Sequence, residues 1–155
     1  MHNQLFTASP EKKALNPGKT GEWFMFAIES KETRALIGDC AFNINETDPR
    51  QAELGVTLAK TSQKKGFAQE TIQLLIKYIF KNSAVERVNM ITYMENAACI
   101  ELIKKLGLKK TNIELGYAGS QSDKELYGIK KSESMFSILK VAWQAKPNKK
   151  TDGNA

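Results

Sequence analysis

The 155-residue chain predicts an α/β (α+β) domain: a mixed, mostly antiparallel sheet with helices on both faces. Three observations predict it. Strand-type segments joined by short turns fill residues 22–59. Two amphipathic segments at helical spacing follow, alternating with strands. No internal repeat or low-complexity block interrupts that order. A composition of 41% hydrophobic and 26% charged residues, with 10 Gly and 4 Pro, suits one globular core.

Taken in order, Ser9 to Leu15 reads as a short helix, with Ser9 as N-cap and Pro10 at its first position, ended by Asn16-Pro17-Gly18. Glu22 to Ser30 and a segment within Arg34 to Asn45 form a hairpin about Lys31-Glu32-Thr33. After the turn at Asp48-Pro49-Arg50, Gln51 to Ala59 is a third strand. Its alternation sets Glu53, Gly55 and Thr57 on one face and Leu54, Val56 and Leu58 on the other. From Phe67 to Phe80, Ile72, Leu75, Ile76 and Ile79 recur at helical spacing, and Val85 to Met94 follows as a strand. A second helix runs from Asn96 to Leu106 and ends at Gly107. Leu108 to Tyr117 and Lys124 to Lys131 read as strands, and Ser132 to Ala145 as a last amphipathic helix. The chain thus divides into an N-terminal segment over 1–21, a domain over 22–145 and a flexible tail over 146–155.

Several classes of function are disfavoured. The longest strongly apolar run, Trp23 to Ile28, is far below the roughly 20 residues that span a bilayer, and the N-terminus has no export pattern. A cytoplasmic protein without membrane contact is expected, with Cys40 and Cys99 reduced. His2, the only histidine, argues against a histidine triad or a zinc site. No metal is expected. The net charge of +6 is uneven: residues 1–60 carry 7 Lys/Arg against 8 Asp/Glu, and residues 61–155 carry 16 against 9. A basic second half can attract nucleic acid or a phosphorylated cofactor, or serve solubility alone. Few aromatics interleave with its lysines, which disfavours nucleic acid.

The most informative segment is Thr61-Ser62-Gln63-Lys64-Lys65-Gly66-Phe67-Ala68, which leads from the third strand into a helix. A glycine and small residues at a helix start leave backbone N–H groups open to a phosphate, and the helix dipole adds positive charge. Lys64 and Lys65 would add full charges, and Gly66 would permit close approach.

The spacing Gln63-x-x-Gly66-x-Ala68 after a strand resembles the acyl-CoA pyrophosphate loop of the GNAT (general-control-type N-acetyltransferase) superfamily. Downstream, Glu95-Asn96-Ala97-Ala98-Cys99 through Lys104-Lys105-Leu106-Gly107-Leu108 resembles that family's second helix motif. The wording Ala52-Glu53-Leu54-Gly55-Val56-Thr57-Leu58 and Val85-Glu86-Arg87-Val88-Asn89-Met90-Ile91-Thr92 is similar to the RimJ/RimL-like branch that acetylates ribosomal-protein N-termini. The resemblance spans roughly residues 22–130. It implies a GNAT-type sheet and direct transfer of acetyl from acetyl-CoA, a co-substrate, to an amine in a ternary complex. The amine is a protein or peptide N-terminus, or alternatively a small amine such as a polyamine or aminoglycoside.

By the same resemblance, backbone groups at Leu58 and Ala59 would hold the pantetheine arm, and Gln63, Lys64, Lys65, Gly66, Phe67 and Ala68 the pyrophosphate. Asn96 would contact the arm from the opposite side, with Lys104 or Lys105 near the nucleotide. Glu53 is the candidate base, because an ammonium must lose its proton before it attacks. Relatives place a tyrosine where this chain has Ile103, so that acid role does not carry over; Cys99 or Tyr127 is the candidate acid instead, each with structural packing as the competing reading. Members of this family usually begin with a further strand and helix, and nothing before Glu22 has room for them, so that first strand and helix are expected to be missing. That leaves strand 22–30 as an exposed apolar edge, open to a homodimer partner or to the N-terminal segment. The rival class is a non-catalytic CoA-binding or RNA-binding module.

Overall fold

The computed structural model describes residues 4–8, 19–111 and 133–146. Among the described residues seven strands form one sheet in the order β1-β2-β3-β4-β5-β7-β6. The strands are β1 (Gln4–Ala8), β2 (Trp23–Ser30), β3 (Leu36–Ile44), β4 (Gln51–Leu58), β5 (Arg87–Tyr93), β6 (Lys109–Lys110) and β7 (Glu133–Leu139). Among these pairings only β4 with β5 is parallel. The helix α1 (Phe67–Asn82) makes that crossover, α2 (Ala97–Leu106) follows β5, and a short α3 (Lys140–Gln144) follows β7.

The core lies on the face of β4 that carries Ala52 and Leu54, together with Phe26, Ile28, Cys40, Phe42 and Ile44 from β2 and β3. The α1 stripe Ile72, Leu75, Ile76 and Ile79 is buried against it, and the Tyr78 ring meets those of Phe26 and Phe42 at 6.4 and 6.2 Å. From α2, Ile103 and Leu106 join the same cluster. The opposite face bears Glu53, Gly55 and Thr57, so the alternation in β4 divides packing from polar surface.

Asn96 caps α2 through Oδ1, which accepts from the Cys99 N–H at 3.1 Å. Gly107 ends the helix at φ 79°, a left-handed conformation that favours glycine. Lys146, placed in the tail by sequence, donates from Nζ to the Leu106 carbonyl and lies over the Trp143 ring. The start of that tail is therefore docked on the end of α2.

Three expectations change. Residues 4–8, inside the segment set apart as 1–21, form an antiparallel strand on β2, with Gln4 opposite Ser30 and Ala8 opposite Phe26. The strand 22–30 is thus not an exposed edge, and the homodimer argued from that edge loses its basis. A run as short as Gln4-Leu5-Phe6-Thr7-Ala8 carries little periodicity of its own; pairing with β2 makes it a strand. Residues 132–145 are not one helix, since Glu133–Leu139 inserts between β5 and β6 and only Lys140–Gln144 is helical. Ser134, Met135, Phe136 and Ile138 are all buried there. A strand covered on both faces reads as a continuous apolar run, which cannot be told from a buried helix by spacing. The strand from Leu108 is limited to Lys109–Lys110 among the described residues. The helix at Ser9, the strand 124–131 and Tyr127 lie outside the described residues.

Candidate active site

The two parallel strands pair only over Gln51↔Arg87, Ala52↔Val88 and Glu53↔Asn89. Beyond that register β4 continues to Leu58 on β3 and β5 to Tyr93 on β7, without pairing to each other. The sheet therefore forks, with Glu53 and Asn89 at the apex.

One arm of the fork is β4. The Ala59 N–H donates to the Ile37 carbonyl at 2.8 Å, so odd-numbered residues of this stretch direct their N–H toward β3. Alternation then turns the N–H groups of Val56 and Leu58 into the fork. Of the two backbone donors named from sequence, Leu58 faces the fork and Ala59 is committed to β3. Val56 is the donor that sequence reasoning did not name. The Leu58 carbonyl accepts from Gln63 Nε2 at 3.1 Å, which ties the loop back to the end of the strand.

Above this arm the loop turns into α1. Lys64 and Gly66 have φ 61° and 84°, and Gly66 is the N-cap residue, with no side chain capping the helix. Lys64, Lys65 and Gly66 are exposed, and Phe67 and Ala68 partly so. An uncapped helix start with flanking lysines suits an anionic ligand. Lys65 and Phe67 also line a cavity of about 520 Å³ that extends to Ser30 at the end of β2 and to Glu32 and Thr33 in the β2–β3 turn.

The other arm leads through β5 to α2. Asn96 and Cys99 stand at the start of that helix, Asn96 exposed and Cys99 half-buried. Lys104 and Lys105 lie in its last turn, and Lys105 pairs with Glu101 at 3.4 Å. At 1.5 Å per residue the two lysines are roughly 12 Å along the helix from Asn96. The other cysteine, Cys40, is fully buried beneath the sheet, and burial pushes its thiol up to about 12.

At the apex, burial raises the proton affinity of Glu53 above the ordinary carboxylate range, and the negative charge of Glu133 on β7 raises it further. Just above Glu53, a side chain at Gly55 would meet nothing within 4 Å, so the approach is open. Below it, Gln51 Oε1 accepts from Arg87 Nε at 3.0 Å and Asn89 Nδ2 at 3.2 Å, and the Ser137 hydroxyl donates to Asn89 Oδ1 at 2.6 Å. Gln51, Asn89 and Glu133 were not singled out from sequence. Asparagine is depleted inside strands, so Asn89 within the strand Val85 to Met94 was the available signal. Among the described residues no group of three or more His, Cys, Asp or Glu side chains could hold a metal ion.

Residues 3–109 match the family model of the acetyltransferase (GNAT) domain. The chain belongs to that family. The uncharacterized N-acetyltransferase p20 of Bacillus licheniformis is 32% identical over 120 residues, 77% of this chain and 64% of that relative. The uncharacterized N-acetyltransferase YoaA of Bacillus subtilis (strain 168) is 28% identical over 109 residues, 68% of this chain and 62% of that relative. The chain thus spans less than two thirds of the length of both. The solved spermidine N-acetyltransferase from Vibrio cholerae, in complex with CoA and spermine, superposes with TM-score 0.61 at 19% identity. It covers 79% of this chain and 68% of that one. A putative ribosomal-protein-serine acetyltransferase from Vibrio cholerae superposes with TM-score 0.58 at 21% identity, over 76% and 64%. At these identities the two structures show a shared GNAT fold.

Proposed function

We propose that this GNAT domain transfers the acetyl group of acetyl-CoA to a primary amine by direct attack in a ternary complex. The observation that carries the reading is the fork: β4 and β5 part immediately after Glu53 and Asn89, and an uncapped, lysine-flanked helix start stands above the β4 arm. The α1 N-terminus with Lys64 and Lys65 binds the pyrophosphate. The Val56 and Leu58 N–H groups bind the pantetheine arm and stabilise charge on the thioester oxygen as it develops. Asn96 and Cys99 face the arm from α2, with Lys104 toward the nucleotide end. Glu53 takes the proton from the acceptor ammonium, and its raised proton affinity suits that task. Cys99, partly buried against the core at the start of α2, would protonate the departing thiolate.

The acceptor proposed first is a peptide or protein N-terminal amine of the kind the RimJ/RimL-like wording implies, in the cytoplasm. A second reading, a small polyamine, is favoured by Glu133, whose negative charge acts on Glu53 and would attract a polycation. Release of CoA from acetyl-CoA, measured over a panel of N-terminal peptides, spermidine and aminoglycosides, tests both. Turnover of peptides alone supports the first reading and of polyamines alone the second. Tight acetyl-CoA binding without turnover of any amine favours the non-catalytic module, and no binding refutes every form of the proposal.

A further inference from the structure

The polar layer beneath Glu53 has a fixed direction. Asp48 at one end can only accept hydrogen bonds when ionised, and Arg50 and Gln51 donate to it, holding its carboxyl below the usual range. Gln51 Nε2 donates to Asp48 Oδ2 at 2.9 Å, which turns Gln51 Oε1 toward β5. There Oε1 receives the guanidinium of Arg87, through both Nε and a terminal nitrogen, and also Asn89 Nδ2. An arginine can only donate, so neither end of the layer tolerates a reversed Gln51 amide. With Asn89 Nδ2 on Gln51, its Oδ1 must face β7, where Ser137 donates to it. The Ser137 proton is then committed, so Thr111 Oγ1, at 2.6 Å, donates to Ser137.

Glu53 follows Gln51 by two residues on the same face of β4, and Asn89 is its partner in register. Among the described residues Glu53 has no hydrogen bond and no ion pair, although Arg87 and Asn89 come from the adjacent strand. The charges on this face are Asp39 of β3, Glu133 of β7 and Arg87 of β5, with Lys109 of β6 and Glu29 of β2, ion-paired to Arg34, farther out and the Tyr93 phenol above Asn89. Of these, Glu133 is the charge that raises the proton affinity of Glu53, adding to the larger effect of burial.

We propose that Gln51 is a positioning residue: by accepting from two nitrogens of Arg87 and from Asn89 Nδ2 on one amide oxygen, it turns these donors away from the Glu53 carboxylate and leaves that carboxylate to the acceptor amine. The inference rests on Glu53 being the base. Its physical basis is that a donor reaching a carboxylate stabilises the ionised form, and a guanidinium does so most strongly. Glu53 is the next residue after Gln51 on this face of β4, and Gln51 is the register partner of Arg87, so a guanidinium released from Gln51 has the Glu53 carboxylate as a neighbouring acceptor; a base paired with arginine is weaker toward an ammonium.

Carbon-13 NMR of glutamate-labelled protein tests this, with the Glu53 signal assigned by Glu53→Gln. Gln51→Met, which keeps the length but removes the amide, should lower the Glu53 titration midpoint by roughly one pH unit. The double variant Gln51→Met/Arg87→Met should recover most of that change, a rescue that a general loss of structure would not produce. Arg87→Met alone should leave the midpoint within about 0.3 pH unit of wild type, and it remains informative if Gln51→Met fails to fold. An unmoved midpoint in Gln51→Met, or a clear rise in Arg87→Met, overturns the proposal. In turnover assays the acidic limb of kcat/KM should follow the NMR midpoint. A midpoint that moves while the limb stays fixed would overturn Glu53 as the base and leave the role of Gln51 standing.

Discussion

Replacing Glu53 by glutamine separates catalysis from stability. The side chain keeps its shape and partial burial, but it cannot accept a proton from an ammonium. Loss of a positioned general base costs about 10²–10⁴ in rate, or about 2.7–5.4 kcal/mol of transition-state stabilisation at 1.36 kcal/mol per decade. The α1 N-terminus and the β4 backbone donors are untouched, so the acetyl-CoA dissociation constant should stay within about twofold of wild type. The stability effect has the opposite sign. The proton affinity of Glu53 is raised in the folded protein, so between its unfolded and folded midpoints the native state binds more protons, and stability falls as pH rises through that window. At pH 7 the ionised carboxylate is then a cost to the fold. Glu53→Gln should therefore raise Tm at pH 7, and the gain should vanish below about pH 4, where the glutamate is protonated in both states. Steady-state kinetics, calorimetric titration with acetyl-CoA and thermal melts across pH 4–8 check the three parts. A fully active Glu53→Gln enzyme refutes the base assignment, and a lower Tm at pH 7 refutes the desolvation account.

Three other outcomes are expected. Gly66→Glu puts a side chain at φ 84°, a conformation that costs a non-glycine residue about 1–2 kcal/mol; it also adds a negative charge where a pyrophosphate should sit, so acetyl-CoA binding by calorimetry should fall at least 100-fold. Cys40, buried with its thiol pushed up to about 12, should react with a thiol reagent at pH 8 far more slowly than the half-buried Cys99; equal rates in a stopped-flow trace would contradict the packing of β3. Ile76→Ala removes a fully buried side chain where α1 meets the sheet, and urea unfolding should show a loss of about 2–5 kcal/mol; a loss below about 1 kcal/mol would mean that α1 is not seated on this core.

Much of the scaffold was legible because its signals are local. The stripe Ile72, Leu75, Ile76 and Ile79 marks α1, alternation marks β2 to β4, and Gly107 marks the end of α2. The uncapped helix start was equally local, since Gly66 and its neighbours are contiguous. What escaped was non-local. The strand at residues 4–8 exists through its pairing with β2. The segment Glu133–Leu139 is a strand because β5 and β6 flank it. Misreading that segment as a helix also concealed Glu133, the charge that acts on Glu53.

By itself the sequence determined the order of most elements, the polar face of β4 with Glu53 on it, and the open helix start at Gly66. These depend on side-chain period and backbone conformation within a few residues. Only the tertiary structure decided where β4 and β5 part, which backbone N–H groups face the gap, and how Asp48, Gln51, Arg87, Asn89 and Ser137 join beneath Glu53. Those depend on register between strands far apart in the chain, and a hydrogen bond between residues 51 and 87 leaves no trace in the spacing of either segment.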